Sequence, residues 1–257
     1  MKGRVKRMVF VVSIWPVLDS EEKRKEIHKI LEDGGTVRKK VETKLTRLGL
    51  RNFMLQIYGE QKWTGNLRNR FKHLDKYLNI RYKENSSLLT YVCEFGSRDD
   101  LTAAEGQIRS ICESEEDTFY VSGDSQKTEL ILELLENEHN FMLMNYYEPD
   151  LYRMFTKNLS KMKKFGAACG ISPRDYLIVS DAVLALFNIE PFAQISWIPI
   201  GKEDGKLNKL NRREYEGILG DWQEEIYKPE NQVTFLGFRF ISLDMLRKMN
   251  IEKKGHF

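Results

Sequence analysis

"DTFYVSGDSQKTELILELLENEHNFML", Asp117 to Leu143, contains a strand, a tight turn and a helix, and its reading decides the fold. "TFYVSG" is rich in residues that suit a pleated, half-buried surface. "SGDS" carries the turn residues, and "DSQKTELILELLEN" places apolar side chains at helical spacing. A turn that opens a helix aims backbone N–H groups at an anion. Yet no side chain in this turn, or just before it, can carry a phosphoryl group.

Working outward, "RMVFVVSIWP" reads as a buried strand halted at Pro16, which has no N–H to give a ladder. Ser20 is placed to cap the helix "EEKRKEIHKILED", with Ile27, Ile30 and Leu31 on one face and Gly34-Gly35 at its end. "TVRKKVETKL" reads as a strand and "TRLGLRNFMLQIYGE" as a short amphipathic helix. Gln61 to Lys83 is polar, aromatic and basic without firm periodicity, and reads as a long connection or lid. "SSLLTYVCEF" is a second confident strand, followed by the helix "SRDDLTAAEGQIRSICE" with Ser97 as cap. The order β-α-β-α-β-α suits an α/β sandwich with helices packed on one sheet face. There is no GxGxxG and no Walker motif.

A second unit is expected from about residue 146. "EPDLYRMFTKNLSKMKKFGAACG" puts Leu151, Phe155, Leu159 and Met162 on one apolar stripe, read as core. The strand "YLIV", the helix "SDAVLALFN", the strand "AQISWIPI", the single hairpin strand "NQVTFLGFRF" and a last helix capped by Ser242 follow.

Composition bounds the rest. The 257 residues suit two domains, expected as 1–145 and 146–257. With 41% hydrophobic and 31% charged residues the chain is globular rather than disordered. No apolar run approaches the roughly 18 residues of a membrane span, and "MVFVVSIWPVL" lacks a signal-peptide cleavage site. Three scattered cysteines and four scattered histidines offer neither a disulfide framework nor a zinc ligand set. A cytoplasmic setting is the expectation. The net charge of +3 hides a basic block, because Arg38 to Arg81 holds twelve Lys or Arg against three Asp or Glu. Such a block is either a solvated face or a collector of phosphates.

The first half resembles the nucleoside diphosphate kinase fold, a ferredoxin-like α/β sandwich. The resemblance rests on "VFVVSIWPVL", "YVCEFGSRDDLTAAEGQIRS" and "VSGDS". In that family the opening strand ends in Lys-Pro-Asp; here Trp15, Pro16 and Val17 stand there. The family's histidine turn is matched by "VSGDS", with Val121 at the phospho-accepting position and Asp124-Ser125 kept. Valine has no lone pair for nucleophilic relay. The acidic "ICESEED" occupies the interval of the family's phosphate-gripping arginines. Kinase chemistry by the family route is not expected.

The second half resembles the nucleotidyltransferase-like domains of the polymerase-beta superfamily, which implies a mixed sheet with helices. Ser180-Asp181 stands in for the family's Gly-Ser, and Gln194-Ile195-Ser196 for its Asp-x-Asp. Two neutral side chains replace the carboxylate pair that holds the metal ions and neutralises triphosphate charge. The whole chain is also similar to a two-domain arrangement that includes proteins linked to surface-polysaccharide gene sets, through "IWP", "LGLRNFMLQIYGEQKWTG" and "VTFLGFRFISLDMLRKM".

The candidate residues follow. Ser122, Asp124, Ser125, Ser180 and Asp181 are either helix caps or remnant anion contacts. Arg47, Arg51, Arg68 and Arg70 form the candidate basic patch, and Tyr58 and Trp63 either pack a loop or stack on a base. Glu224-Glu225 point about 100° apart on a helix and suit no shared metal. The expected function is non-catalytic binding or scaffolding on degenerate nucleotide-handling domains, with a nucleotide, phosphorylated ligand or protein as partner. No metal or cofactor is expected. The alternative is a transferase with relocated carboxylates acting on a sugar phosphate or polymer-linked acceptor, in which case Mg2+ is required. Nucleic-acid binding through the basic block ranks third.

Overall fold

The computed structural model describes residues 8–59, 61–66, 69–112, 118–148, 153–168, 170, 172–179, 181–190, 195–200, 222 and 224–255. The chain divides into two compact units, Met1–Arg51 with Asp75–Leu132, and Asn52–Leu74 with Glu133–Phe257. Segments 52–74 and 133–145 fall in the second of these units. The architecture is α+β, with an antiparallel sheet in the first unit and a mixed sheet in the second. Among the described residues no helix is long and apolar enough to cross a membrane.

In the first unit, strands β1 (Met8–Ile14), β2 (Thr36–Thr43), β3 (Leu88–Phe95) and β4 (Phe119–Val121) lie in the order β2-β3-β1-β4. Every pairing is antiparallel, with Phe10 opposite Cys93 and Ser13 opposite both Thr90 and Tyr120. Helices α1 (Glu21–Gly34) and α4 (Arg98–Ile111) cover one face. Their starts are capped as read from sequence. The Ser20 hydroxyl accepts from Lys23 N at 3.3 Å, and that of Ser97 from Asp100 N at 3.2 Å. Acidic residues fill both first turns, where they meet the positive end of the helix dipole.

The period-2 alternation of the strands sends Phe10, Val12, Ile14, Leu89, Tyr91 and Phe95 into this core. There they meet Ile27 and Leu31 of α1 and Leu101, Ala104 and Ile108 of α4. Each such side chain removed from water contributes roughly 1.5–3 kcal/mol. Gly35 is needed by proximity, because a Cβ there would lie 2.6 Å from the Glu94 carbonyl oxygen. The opposite sheet face is closed as well, with Val11, Ser13 and Thr90 fully buried. A hydroxyl pair at 3.2 Å, Ser13 with Thr90, satisfies two of those polar groups.

The segment read as a connection or lid is partly helical. Lys62–Thr64 is a 3₁₀ turn, and Lys72–Arg81 forms α3, after α2 (Arg47–Tyr58). Only Leu74 and Leu78 of α3 are fully buried apolar positions, which is why its periodicity was too short to read. Next come α5 (Ser125–Glu136), α6 (Glu138–Tyr146), α7 (Arg153–Ala168) and α8 (Asp181–Leu186). Asn137 separates α5 from α6 because its side-chain oxygen accepts from Asn140 N at 3.0 Å and caps the new helix.

The second sheet runs β6-β5-β8-β7, from β5 (Tyr176–Val179), β6 (Ser196–Pro199), β7 (Gln232–Phe235) and β8 (Phe238–Ile241). β5 pairs antiparallel with β6 and parallel with β8. "NQVTFLGFRF" is two strands rather than one, joined at Leu236 (φ 50°) and Gly237 (φ 80°). Two positive φ values in a two-residue loop match the twist of the flanking strands. The closing helix α9 (Leu243–Gly255) is capped by the Ser242 hydroxyl, which accepts from Met245 N at 3.1 Å. In the expected apolar stripe of α7, Leu159 is buried and Met162 half-buried. Leu151 lies outside the described residues, as does the side chain of Phe155.

Candidate functional site

The turn after β4 brings Ser122, Asp124 and Ser125 together, and its hydrogen bonds decide what it can do. Ser122 is fully buried. Its backbone N–H donates to Val11 O at 2.9 Å, and its hydroxyl oxygen accepts from Val11 N at 2.9 Å. The Ser122 and Thr128 hydroxyls lie 2.7 Å apart, and that of Thr128 reaches Asp124 O at 3.0 Å. The Thr128 hydroxyl also lies 3.4 Å from Val9 O. With one proton per hydroxyl, a chain that satisfies both runs from Val11 N–H to Ser122, from Ser122 to Thr128, and from Thr128 to Asp124 O or Val9 O. The Asp124 carboxylate accepts from Lys127 N at 2.8 Å. Ser122 is thus committed to internal partners, while the exposed Asp124 caps the start of α5 through Oδ1. Ser125, the first residue of α5, is exposed.

The candidate basic patch is divided between the two units. Arg47 and Arg51, one turn apart on α2, belong to the first, and Arg70 belongs to the second. Arg51 is buried and donates through Nε to Asp75 Oδ1 at 2.6 Å, while Arg47 donates to the Asn79 side chain. These two arginines tie the start of α2 to the first turn of α3 through Asp75 and to its last turn through Asn79. Arg68 and Ser180 lie outside the described residues, as do Gln194 and the side chains of Asp181 and Ser196.

A cluster that sequence reading missed lies in the second unit. The Glu133 carboxylate meets Arg239 Nη2 at 3.2 Å, Arg174 Nη2 at 3.7 Å and the Thr234 hydroxyl at 3.2 Å. Asn140 ties the same region together, donating to Glu133 O at 2.8 Å and accepting from Thr234 N at 2.6 Å. The partners stand up to 106 residues apart in the chain, so no local spacing signals them.

Burial sets the ionisation of several groups. It pushes the Cys93 thiol up to about 12, so that it stays protonated and unreactive at neutral pH. It also pushes the Tyr176 and Tyr120 hydroxyls up to about 12, with Asp175 and Asp124 adding to the respective shifts. Half-burial lowers Lys163. Among the described residues no three of His, Cys, Asp or Glu gather to hold a metal ion.

The exposed loop of the second unit presents a different arrangement. Trp63, 38% exposed, packs against Tyr58 with ring centroids 5.3 Å apart at 62°. Its indole N–H donates to the Gln61 side chain, and its carbonyl oxygen lies 3.0 Å from His73 Nδ1. Sequence reading had singled out Tyr58, Trp63 and Arg70, though not His73. No protein-family model matches the chain, and no curated protein or solved structure matches it.

Proposed function

We propose that the chain is a non-catalytic binding or scaffolding protein built on two nucleotide-handling frameworks whose reactive side chains have been replaced. One observation carries this reading: Trp15, at the position matching the kinase family's lysine, is fully buried, and Val121 stands where that family has its nucleophile. A buried indole reaches no phosphate, and an isopropyl group accepts no phosphoryl group. The neighbouring hydroxyl of Ser122 is spent on Val11 and Thr128.

Topology supports the framework half of the proposal. The order β1-α1-β2, then α2 and α3, then β3-α4-β4, with strands arranged β2-β3-β1-β4, supports the ferredoxin-like reading. The succession β5, α8, β6 on a mixed sheet supports the nucleotidyltransferase-like reading. A setting in surface-polysaccharide assembly belongs to this proposal through the resemblance alone.

The test is a transfer assay with the full chain, radiolabelled nucleoside triphosphates and Mg2+ or Mn2+, beside a thermal-shift screen of nucleotides and sugar nucleotides. Ligand-dependent stabilisation without transfer is the expected result. Metal-dependent nucleotidyl transfer abolished by Asp181→Asn would replace this reading with the transferase alternative.

A further inference from the structure

We propose that the Trp63 loop is a binding shelf for a nucleobase carrying a phosphate. It lies outside the positions matched to either family's reactive groups and deepens the proposed function, resting on that reading's nucleotide ligand. Nucleotide stabilisation that Trp63→Leu leaves unchanged would sink the shelf while leaving the proposed function standing.

Three observations converge on the shelf. Trp63 combines exposure with fixation, held by Gln61 through its indole N–H, by Tyr58 through its ring and by His73 through its carbonyl. An aromatic surface already fixed loses little conformational freedom when a base stacks on it. The loop is also uniformly basic, since Gln61 to Leu74 contains four Lys or Arg and no Asp or Glu. Lys62, Arg70 and Lys72 are its described cations, and Arg70 and Lys72 are exposed.

Backbone strain supplies the third observation. Arg70 and Phe71 both adopt left-handed conformations, with φ 53° and 55°. Such backbone is strained for a residue with a side chain and persists only where its surroundings enforce it. The Asn69 side-chain oxygen does so, accepting from Asn66 N at 2.8 Å and Phe71 N at 3.2 Å. The outcome is a buried Phe71 beside an outward Arg70. A π-surface for the base and cations for the phosphate, with no carboxylate in the loop to repel it, is the combination that single strands and nucleotides require.

Fluorescence anisotropy on the full chain tests this, with labelled adenosine monophosphate and a labelled oligothymidylate of about six nucleotides. Trp63→Leu is expected to weaken binding by about 5- to 100-fold, and Trp63→Tyr to retain most of it. Arg70→Asn keeps a residue type suited to positive φ. It is expected to weaken binding and lower the salt slope by about 0.7 for each lost phosphate contact. Equal affinity for both probes assigns a mononucleotide, and tighter oligonucleotide binding with a steep salt slope assigns a single strand. The proposal fails if neither probe binds, or if both Trp63→Leu and Arg70→Asn bind as the unaltered chain does. It also fails if anionic phospholipid vesicles bind through Trp63 and nucleotides do not compete. Circular dichroism checks each variant's fold, and Trp63→Tyr with Arg70→Asn carries the test should Trp63→Leu fail to fold.

Discussion

The Ser122 hydroxyl sits 2.7 Å from that of Thr128 and takes the Val11 N–H at 2.9 Å, so the turn after β4 is locked onto the opening strand from within. Removing the Ser122 oxygen leaves a buried N–H without its acceptor, at a cost of roughly 1–3 kcal/mol. Ser122→Ala is therefore expected to lower the urea midpoint clearly while leaving any nucleotide affinity unchanged. A variant of full stability with lost affinity would show that the hydroxyl serves a ligand instead.

Asp124 gives a smaller effect. Its carboxylate satisfies one otherwise unpaired N–H at the start of α5, and an N-cap is worth about 1 kcal/mol. Asp124→Ala should cost about that much, and Asp124→Ser should restore most of it. Chemical denaturation of the three proteins measures the difference.

The Arg51–Asp75 pair is asymmetric, with a side-chain exposure of 10% for the arginine and 39% for the aspartate. Solvent screens the aspartate end, so Asp75→Asn is expected to cost roughly 1–3 kcal/mol, below the range for a fully buried pair. A double-mutant cycle with Arg51→Met isolates the coupling. A coupling energy near zero would mean that the ion pair with Asp75 does not hold this arginine.

Alkaline pH probes the buried phenols. Desolvation holds Tyr91, Tyr120 and Tyr176 up at about 12, against about 10 in an unfolded chain. Between those values the unfolded chain has released protons that the folded chain retains. Their contribution is thus complete below about pH 10 and is lost as the pH rises toward 12. The denaturant midpoint should fall over that window, and Tyr176→Phe should make the fall shallower. Absorbance near 295 nm, which follows phenolate formation, should show a late-titrating group of tyrosines.

The hairpin turn offers a gain. Leu236 at φ 50° is a poor residue for that backbone, whereas asparagine tolerates it. Leu236→Asn is expected to stabilise the chain by roughly 0.5–1 kcal/mol, read as a higher Tm. An unchanged or lower Tm would mean that the half-buried leucine side chain contributes more by packing than its backbone costs.

The strands β1 and β3, the caps Ser20, Ser97 and Ser242, and the α+β class were legible in the residues themselves. Period-2 apolar runs and short-range side-chain-to-backbone bonds are local physics, written in neighbouring letters. α3 was not legible, because a helix with few deeply buried apolar residues has too weak a periodicity to separate from a loop. The Glu133–Arg174–Arg239 cluster was equally hidden, since its members meet only when β8 and the turn before β5 come together. The same limit applied to Ser122. Its residue type admitted both a cap and an anion contact, and only folding, by placing Val11 against the turn, decided where its oxygen is spent. The Asp124 cap, by contrast, is a local bond to Lys127 N. What a side chain is able to bond is set by its chemistry; what it does bond is set by which distant segments arrive beside it.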